Sequence, residues 1–244
     1  AQRNHYKIRK NGVIMKYMGS KNKYAKDILP IILSQRSPYQ LYIEPFAGGM
    51  NTIDKVDGRR WANDSHSYLI AMWNALLYKS WNPPLFVSES LYEHVKTNPN
   101  NYETELVGYI GFNSYGAKWF GGYCRDKEGK RDYWREHYNN IQIQRTRMYG
   151  VSLTCGSYLD MEIPNNSVVY CDPPYKETTK YASDFSHEVF WDWVRQIGEH
   201  NPVFVSEYQA PDDFECLWQK RVNNTLAKDT GSKQGIEKLF RRKQ

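Results

Sequence analysis

A chain of 244 residues with 40% hydrophobic and 25% charged side chains is long enough to bury one large core and is ordinary in composition for a folded, enzyme-sized globular unit. It holds no run of about 18 apolar residues that would span a membrane, and the amino end AQRNHYKIRKNG lacks the apolar centre of a signal peptide, which points to a cytosolic protein. The net charge of +6 suits a polyanionic partner without naming one.

In chain order, residues 1–14 precede Met15 and read as an extension ahead of a natural start. The run YQLYIEPFAGGMN predicts a strand over Leu41 to Ile43 that ends at Glu44 and enters a turn containing Gly48 and Gly49, the opening unit of a doubly wound α/β sheet. A second short strand follows around Arg60 to Ala62, then Asn63-Asp64, then a helix from Ser67 with Leu69, Met72, Trp73 and Leu76 at helical spacing. Between residues 79 and 149 the alternation of strand and helix disappears, turns such as WNPP and KTNPN enter, and aromatic and basic residues become dense, so this stretch reads as an inserted subdomain. The α/β pattern resumes over 150–244. VSLTCGSYLD is a strand leading to Asp160, SVVYCDPPY a strand leading to Asp172, HEVFWDWVRQIGEH an amphipathic helix, NPVFVSEY a strand, and the tail after Lys220 two short antiparallel strands around a polar loop.

Four cysteines, Cys124, Cys155, Cys171 and Cys216, stand at wide spacings without a C-x-x-C pair, which argues against a zinc ribbon or a dithiol motif and for buried, reduced thiols. The six histidines form no H-x-x-x-H or H-E-x-x-H, so no metal is expected.

Three acids mark strand ends. Asp64 follows Glu44 by twenty residues, the spacing at which an acid in a doubly wound fold bonds a ribose hydroxyl, although both acids would also serve as helix caps. The adjacent glycines depart from G-x-G-x-x-G, so a ribose-bearing cofactor without a diphosphate fits better than NAD. Val168 to Cys171 is a buried-strand sequence, and Pro173 and Pro174 end it, because proline donates no ladder hydrogen bond. The acid of Asp172-Pro173-Pro174-Tyr175 therefore stands at a strand's carboxyl end, where open α/β sheets hold their ligands.

With these residues in this order, the sequence resembles the DNA adenine N6-methyltransferases of the Dam type, the D12 class. Tyr17-Met18-Gly19-Ser20-Lys21 resembles the family's amino-terminal cofactor motif, Glu44-Pro45-Phe46-Ala47-Gly48-Gly49 its F-x-G-x-G motif with Met50 at the second glycine, Asn63-Asp64 its second acidic motif, and DPPY its catalytic motif. The resemblance implies a Rossmann-like S-adenosylmethionine-dependent methyltransferase fold, α/β, with a mixed, mostly parallel seven-stranded sheet and an inserted, mainly helical target-recognition subdomain at 79–149 between catalytic segments 15–78 and 150–244. It implies S-adenosylmethionine as methyl donor, held by Tyr17, Lys21, Glu44, Phe46, Gly48, Asp64, Asp160 and Asp172, and no metal. Catalysis falls to Asp172, Pro173, Pro174 and Tyr175, acting on an adenine flipped out of double-stranded DNA, in the setting of DNA methylation or restriction-modification in a bacterial or phage-infected cell.

Chemistry explains the tetrapeptide. The N6 lone pair of adenine is delocalised into the ring, so acceptors must hold the amino hydrogens before the nitrogen attacks. Asp172 and the Pro173 carbonyl supply two, and Tyr175 offers a ring for a flipped base. In the insertion, Asn113, Ser114, Tyr115, Lys118, Trp119, Arg125, Lys127, Lys130 and Arg131 are candidates for phosphate and base contact, with Lys233 and Lys238 near the carboxyl end, and a solvated surface explains each as well. The expected partner is double-stranded DNA, with no membrane and a monomer or weak dimer. Two alternatives remain: methylation of cytosine N4 or of an RNA or protein nitrogen, and a silent DNA-binding module descended from such an enzyme.

Overall fold

The structure is a computed structural model, and it describes residues 14–126, 128–175, 185–222 and 235–243. Among the described residues, seven strands make one sheet: β1 (Tyr42–Glu44), β2 (Arg60–Asp64), β3 (Val151–Cys155), β4 (Val168–Cys171), β5 (Val203–Glu207), β6 (Phe214–Val222) and β7 (Gly235–Arg242). Their order is β3-β2-β1-β4-β5-β7-β6. The pairs β1/β2, β1/β4, β2/β3 and β4/β5 are parallel, whereas β7 runs antiparallel to both β5 and β6. The expected mixed, mostly parallel seven-stranded sheet is therefore what the chain forms. Its strand order reverses between β1 and β4, and the carboxyl ends of strands at such a switch point are where open α/β sheets hold their ligands.

Parallel strands buried on both faces are apolar throughout rather than alternating. All four residues of β4 are buried. Successive side chains still point to opposite faces. Tyr42, Val168, Tyr170, Phe204 and Leu239 join one hydrophobic cluster, while Ile43, Val169, Cys171, Val203, Val205 and Phe240 join another. The first cluster receives α1 (Asn22–Ile32), through Tyr24, Ile28 and Leu29, and α2 (Ser67–Tyr78), through Leu69, Met72, Trp73 and Leu76. The second receives Phe190, Trp191, Trp193 and Val194 of α6 (His187–Ile197).

The stretch 79–149 contributes α3 (Glu89–Thr97), α4 (Thr104–Phe112) and α5 (Tyr133–Met148). Ser88 and Asp132 cap α3 and α5 by accepting from the Leu91 and Arg135 amides. Val95, Val107, Ile110, Ile141 and Met148 from these helices share the first cluster with α1 and α2. The segment that breaks the α/β alternation in sequence thus packs into the same core as the sheet.

Three sequence expectations shift. Asp64 is the last residue of β2 rather than lying beyond it, because its strand pairs with β3 as far as Cys155. The tail strands are nine and eight residues long rather than short, the first starting upstream at Phe214. Of the four thiols only Cys171 is buried; Cys155 and Cys216 are exposed and all four are free. No helix among the described residues is long and apolar enough to cross a membrane.

The contact of α4 with α2 depends on Gly108, where a Cβ would overlap the carbonyl oxygen of Tyr68 and press on Met72. Backbone cannot yield as a side-chain tip can, so Gly108→Ala should destabilise the protein by about 1–3 kcal/mol, read as a lower midpoint in urea unfolding at unchanged m-value.

Candidate active site

The parallel strands bring their terminal acids to one rim: Glu44 at the end of β1, Asp64 at the end of β2, Asp172 just past β4, and Glu207 at the end of β5. Because β7 is reversed, its first residues reach the same rim, with Lys238 paired to Glu207 and Glu237 one place earlier. Glu237 and Glu207 carried no motif in the sequence.

The glycine turn is shaped for close approach. A Cβ at Gly48 would come within 2.8 Å of the Tyr17 ring, and one at Gly49 within 2.5 Å of the Tyr17 Cβ, so Tyr17 lies directly on the turn. Gly48 has φ of 48° and Met50, where the resembled motif has glycine, adopts φ of 59° and is fully buried. The left-handed conformation that glycine favours is retained here by methionine. Gln144 of α5 explains how, since the two N–H groups of its Nε2 are shared among the carbonyls of Gly49 at 2.9 Å and Met50 at 3.2 Å and Asn51 Oδ1 at 3.0 Å, while its Oε1 accepts from the Met15 amide at 2.9 Å. No motif marked Gln144, because its partners lie more than ninety residues away.

Asp64 faces the same turn. Its Oδ2 accepts from the Gly48 amide at 2.9 Å and its Oδ1 from the His66 amide at 2.9 Å. Burial raises its pKa, with these two amide bonds opposing. Phe46 lies with Tyr158, Phe185 and Phe190 at centroid distances of 4.9, 5.9 and 5.7 Å, an aromatic wall beside the turn. Asp160 is exposed in the short helical turn that carries Tyr158. Glu44 is fully enclosed, its Oε1 accepting from Tyr42 Oη at 2.8 Å and its Oε2 from Thr52 Oγ1 at 3.1 Å. Burial pushes its pKa up to about 8 against those two bonds.

The second half of the rim is a buried charge cluster. Lys21 Nζ stands 3.1 Å from Asp172 Oδ1 and 3.6 Å from Glu237 Oε2. It also lies 4.3 Å above the Tyr175 ring. Tyr175 is buried, donates from Oη to Glu237 Oε2 at 2.8 Å and meets the Tyr208 ring edge-to-face at 4.7 Å. Burial lifts Asp172 to about 6 against the pull of Lys21, and Glu237 adds to the lift. Burial lowers the Lys21 pKa, yet Asp172 and Glu237 outweigh it and the net direction is upward. Pro173 is buried and Pro174 exposed.

The recognition candidates divide. Asn113 and Ser114 do not reach the surface: Asn113 Nδ2 donates to the Tyr109 carbonyl at 2.7 Å, and Ser114 Oγ donates to the Gly111 carbonyl and accepts from the Gly121 amide, both at 2.9 Å. Both close the end of α4 instead. Trp119 is half-buried against His66, Tyr68 and Phe112. Tyr115 and Lys118 are exposed on a turn whose Ala117 carbonyl accepts from the Met18 amide at 3.0 Å, which sets them beside the Tyr17–Lys21 segment. Arg125, Lys130 and Arg131 are exposed and paired with Glu89, Glu128 and Glu136. Lys238 lies over the Phe240 ring, and Lys127 and Lys233 fall outside the described residues. A cavity of about 780 Å³, lined by Arg36, Asn166, Asn201 and Arg241 among others, sits at the opposite, amino end of the strands and takes no part in the acid rim.

Residues 17–114 match the family model of the D12 class N6 adenine-specific DNA methyltransferases. The matched span holds Tyr17, Lys21, the glycine turn and Asp64, and ends before Asp172. Solved structures similar to the chain include an Escherichia coli protein named as the methyltransferase yhhF, at 8% identity and a TM-score of 0.35 over 91% of this chain and 85% of that one. A Pyrococcus horikoshii protein named as an RNA methyltransferase aligns at 10% identity and 0.41 over 93% and 86%. A Listeria monocytogenes protein named as a class I S-adenosylmethionine-dependent methyltransferase aligns at 12% and 0.41 over 97% and 63%. At these scores the fold rests on the strand order of the chain itself.

The residues here suit S-adenosylmethionine: an aromatic ring on a glycine turn, an acid at the end of β2 and an aromatic wall. Glu44 is expected to act through the fold rather than by contact. An acid whose folded pKa lies above its unfolded value is favoured in the protonated form, so stability falls as pH rises from about 4.5 to about 8. Glu44→Gln should remove that fall, and urea unfolding at several pH values checks it.

Proposed function

We propose that the protein is a site-specific DNA adenine N6-methyltransferase that uses S-adenosylmethionine. The observation that carries this reading is the position of Asp172, at the carboxyl end of the strand beside the switch point, with a rigid diproline after it and the Tyr17-covered glycine turn on the neighbouring strand. The family match over residues 17–114 supports the cofactor half and the substrate class.

In this reading Tyr17, Phe46, Gly48 and Asp64 hold the cofactor, with Asp160 at the edge of the aromatic wall. When bound, S-adenosylmethionine supplies an electrophilic sulfonium methyl group. Asp172 accepts one hydrogen of the adenine amino group, and the Pro173 carbonyl, fixed by two pyrrolidine rings, accepts the other. Together they turn a flat, delocalised amine into a nitrogen whose lone pair faces the donor. The step is an in-line displacement that makes one C–N bond as the C–S bond breaks, so positioning contributes more than basicity. The methylated nitrogen, now cationic and acidic, gives its extra proton to the Asp172 carboxylate, from which it passes to water, with S-adenosylhomocysteine as the leaving group.

Reaching an amino group inside a duplex requires flipping the base out. Tyr115 and Lys118, exposed beside the Tyr17–Lys21 segment, are the candidates for meeting the DNA there, with Trp119 behind them. Arg125, Lys130 and Arg131 are candidates for phosphate contact, and their acidic neighbours on the surface can be exchanged for phosphate at little cost because exposed ion pairs are weak. Residues 79–149 then serve as the recognition segment while sharing the catalytic core's packing.

Asp172→Ala should lower methyl transfer to DNA by at least about a hundredfold, since it removes a charge-bearing acceptor, while DNA affinity stays within about threefold. In the wild type, kcat should fall as the pH drops through about 6, where the Asp172 carboxylate becomes protonated and turns from acceptor to donor. Wild-type turnover in the variant would overturn the mechanism.

A further inference from the structure

Lys21 makes the contacts that the substrate amine needs. Its ammonium is 3.1 Å from Asp172 Oδ1 and 4.3 Å above the Tyr175 ring, the acceptor and the face assigned above to the adenine amino group and its base. A base cannot stack on the ring face that the ammonium covers, so Lys21 has to move off Tyr175, and with it from Asp172 Oδ1, before the base enters. A lysine buried to 7% exposure cannot be left without an anion. Glu44 is a poor anion for it, because burial favours the neutral form of a carboxyl whose oxygens already bond two hydroxyls. Glu237 remains, 3.6 Å away and itself only 13% exposed, with the Tyr175 hydroxyl holding the same Oε2 that faces Lys21.

We propose that Glu237 is a positioning residue for the transfer: it receives the Lys21 ammonium when the substrate amine takes Asp172. The inference rests on the reading that the substrate carries an exocyclic amine. Asp172 and Glu237 then share one cation in the resting protein, and in the complex each anion has its own N–H donor. The four-carbon stem of lysine lets the ammonium swing without moving the backbone. Tyr175 registers the exchange, because its hydroxyl stays on Glu237 while its ring face is cleared for the base.

The test follows the Lys21 side chain directly. Protein with 13C-labelled lysine, its Lys21 Cε signal assigned by Lys21→Arg, is saturated with S-adenosylhomocysteine and then with a duplex carrying a mismatched adenine. The Lys21 signal should move on adding the duplex in the wild type and stay in place in Glu237→Gln, a change that keeps an acceptor for the Tyr175 hydroxyl. The same variant should lose kcat by about tenfold or more with affinity for S-adenosylhomocysteine within about threefold, the pattern of a contact needed only as the reaction proceeds. Methylation of adenine in the same duplex when S-adenosylmethionine is supplied, with an unmoved Lys21 signal, or full turnover in Glu237→Gln, would overturn the exchange and leave the functional reading standing. Absence of transfer from the wild type to any DNA would overturn that reading, and the exchange with it.

Discussion

One lysine ammonium ties three distant parts of the chain together. Lys21 opens α1, Asp172 ends β4, and Glu237 begins β7, and the single buried charge between them holds the amino-terminal segment against the rim of the sheet. Burying ions is costly unless each finds a partner. Here one ammonium lies between two carboxyl groups, and burial, opposed by Lys21 and reinforced by Glu237, lifts Asp172 to about 6. The rim is thereby ready to accept another N–H donor, which is what an amine substrate brings.

The sheet makes that cluster possible. Strand order sends β1 and β4 side by side with their chains diverging, so the crevice opens between the glycine turn and Asp172. The reversed β7 adds what a wholly parallel sheet would not, an acid from the start of a strand at the rim formed by the ends of the others. Gln144 fixes the other wall by taking the carbonyls of Gly49 and Met50, so a helix from the 79–149 stretch shapes the turn on which the cofactor is proposed to lie.

Much of this was legible in the sequence. Short apolar runs ending in Glu44, Asp64 and Asp172 located the strands and their acids, because a buried parallel strand is a continuous hydrophobic run and a proline pair must end it. Glycine spacing marked the turn. Glu237 was hidden, since its role depends on antiparallel pairing of a tail strand, and nothing local to GIEKLFRR shows that register. Tyr175 was read as a ring for a flipped base; that the ring is buried with Lys21 over it could not be read, because the contact joins residues more than 150 positions apart. Asn113 and Ser114 had the chemistry of base contacts, but a polar pair that closes a helix end has the same composition. The helix α1 carried no motif of its own and holds Pro30 in its last turn, which masked it.

The account turns on the nature of the accepting nitrogen. Incubating the protein with S-adenosylmethionine labelled in its methyl group and with mixed-sequence double-stranded DNA, then digesting to nucleosides, identifies the modified atom. The account predicts label in N6-methyladenine within a defined flanking sequence. Label in N4-methylcytosine, or in added RNA or protein with none in DNA adenine, would contradict it.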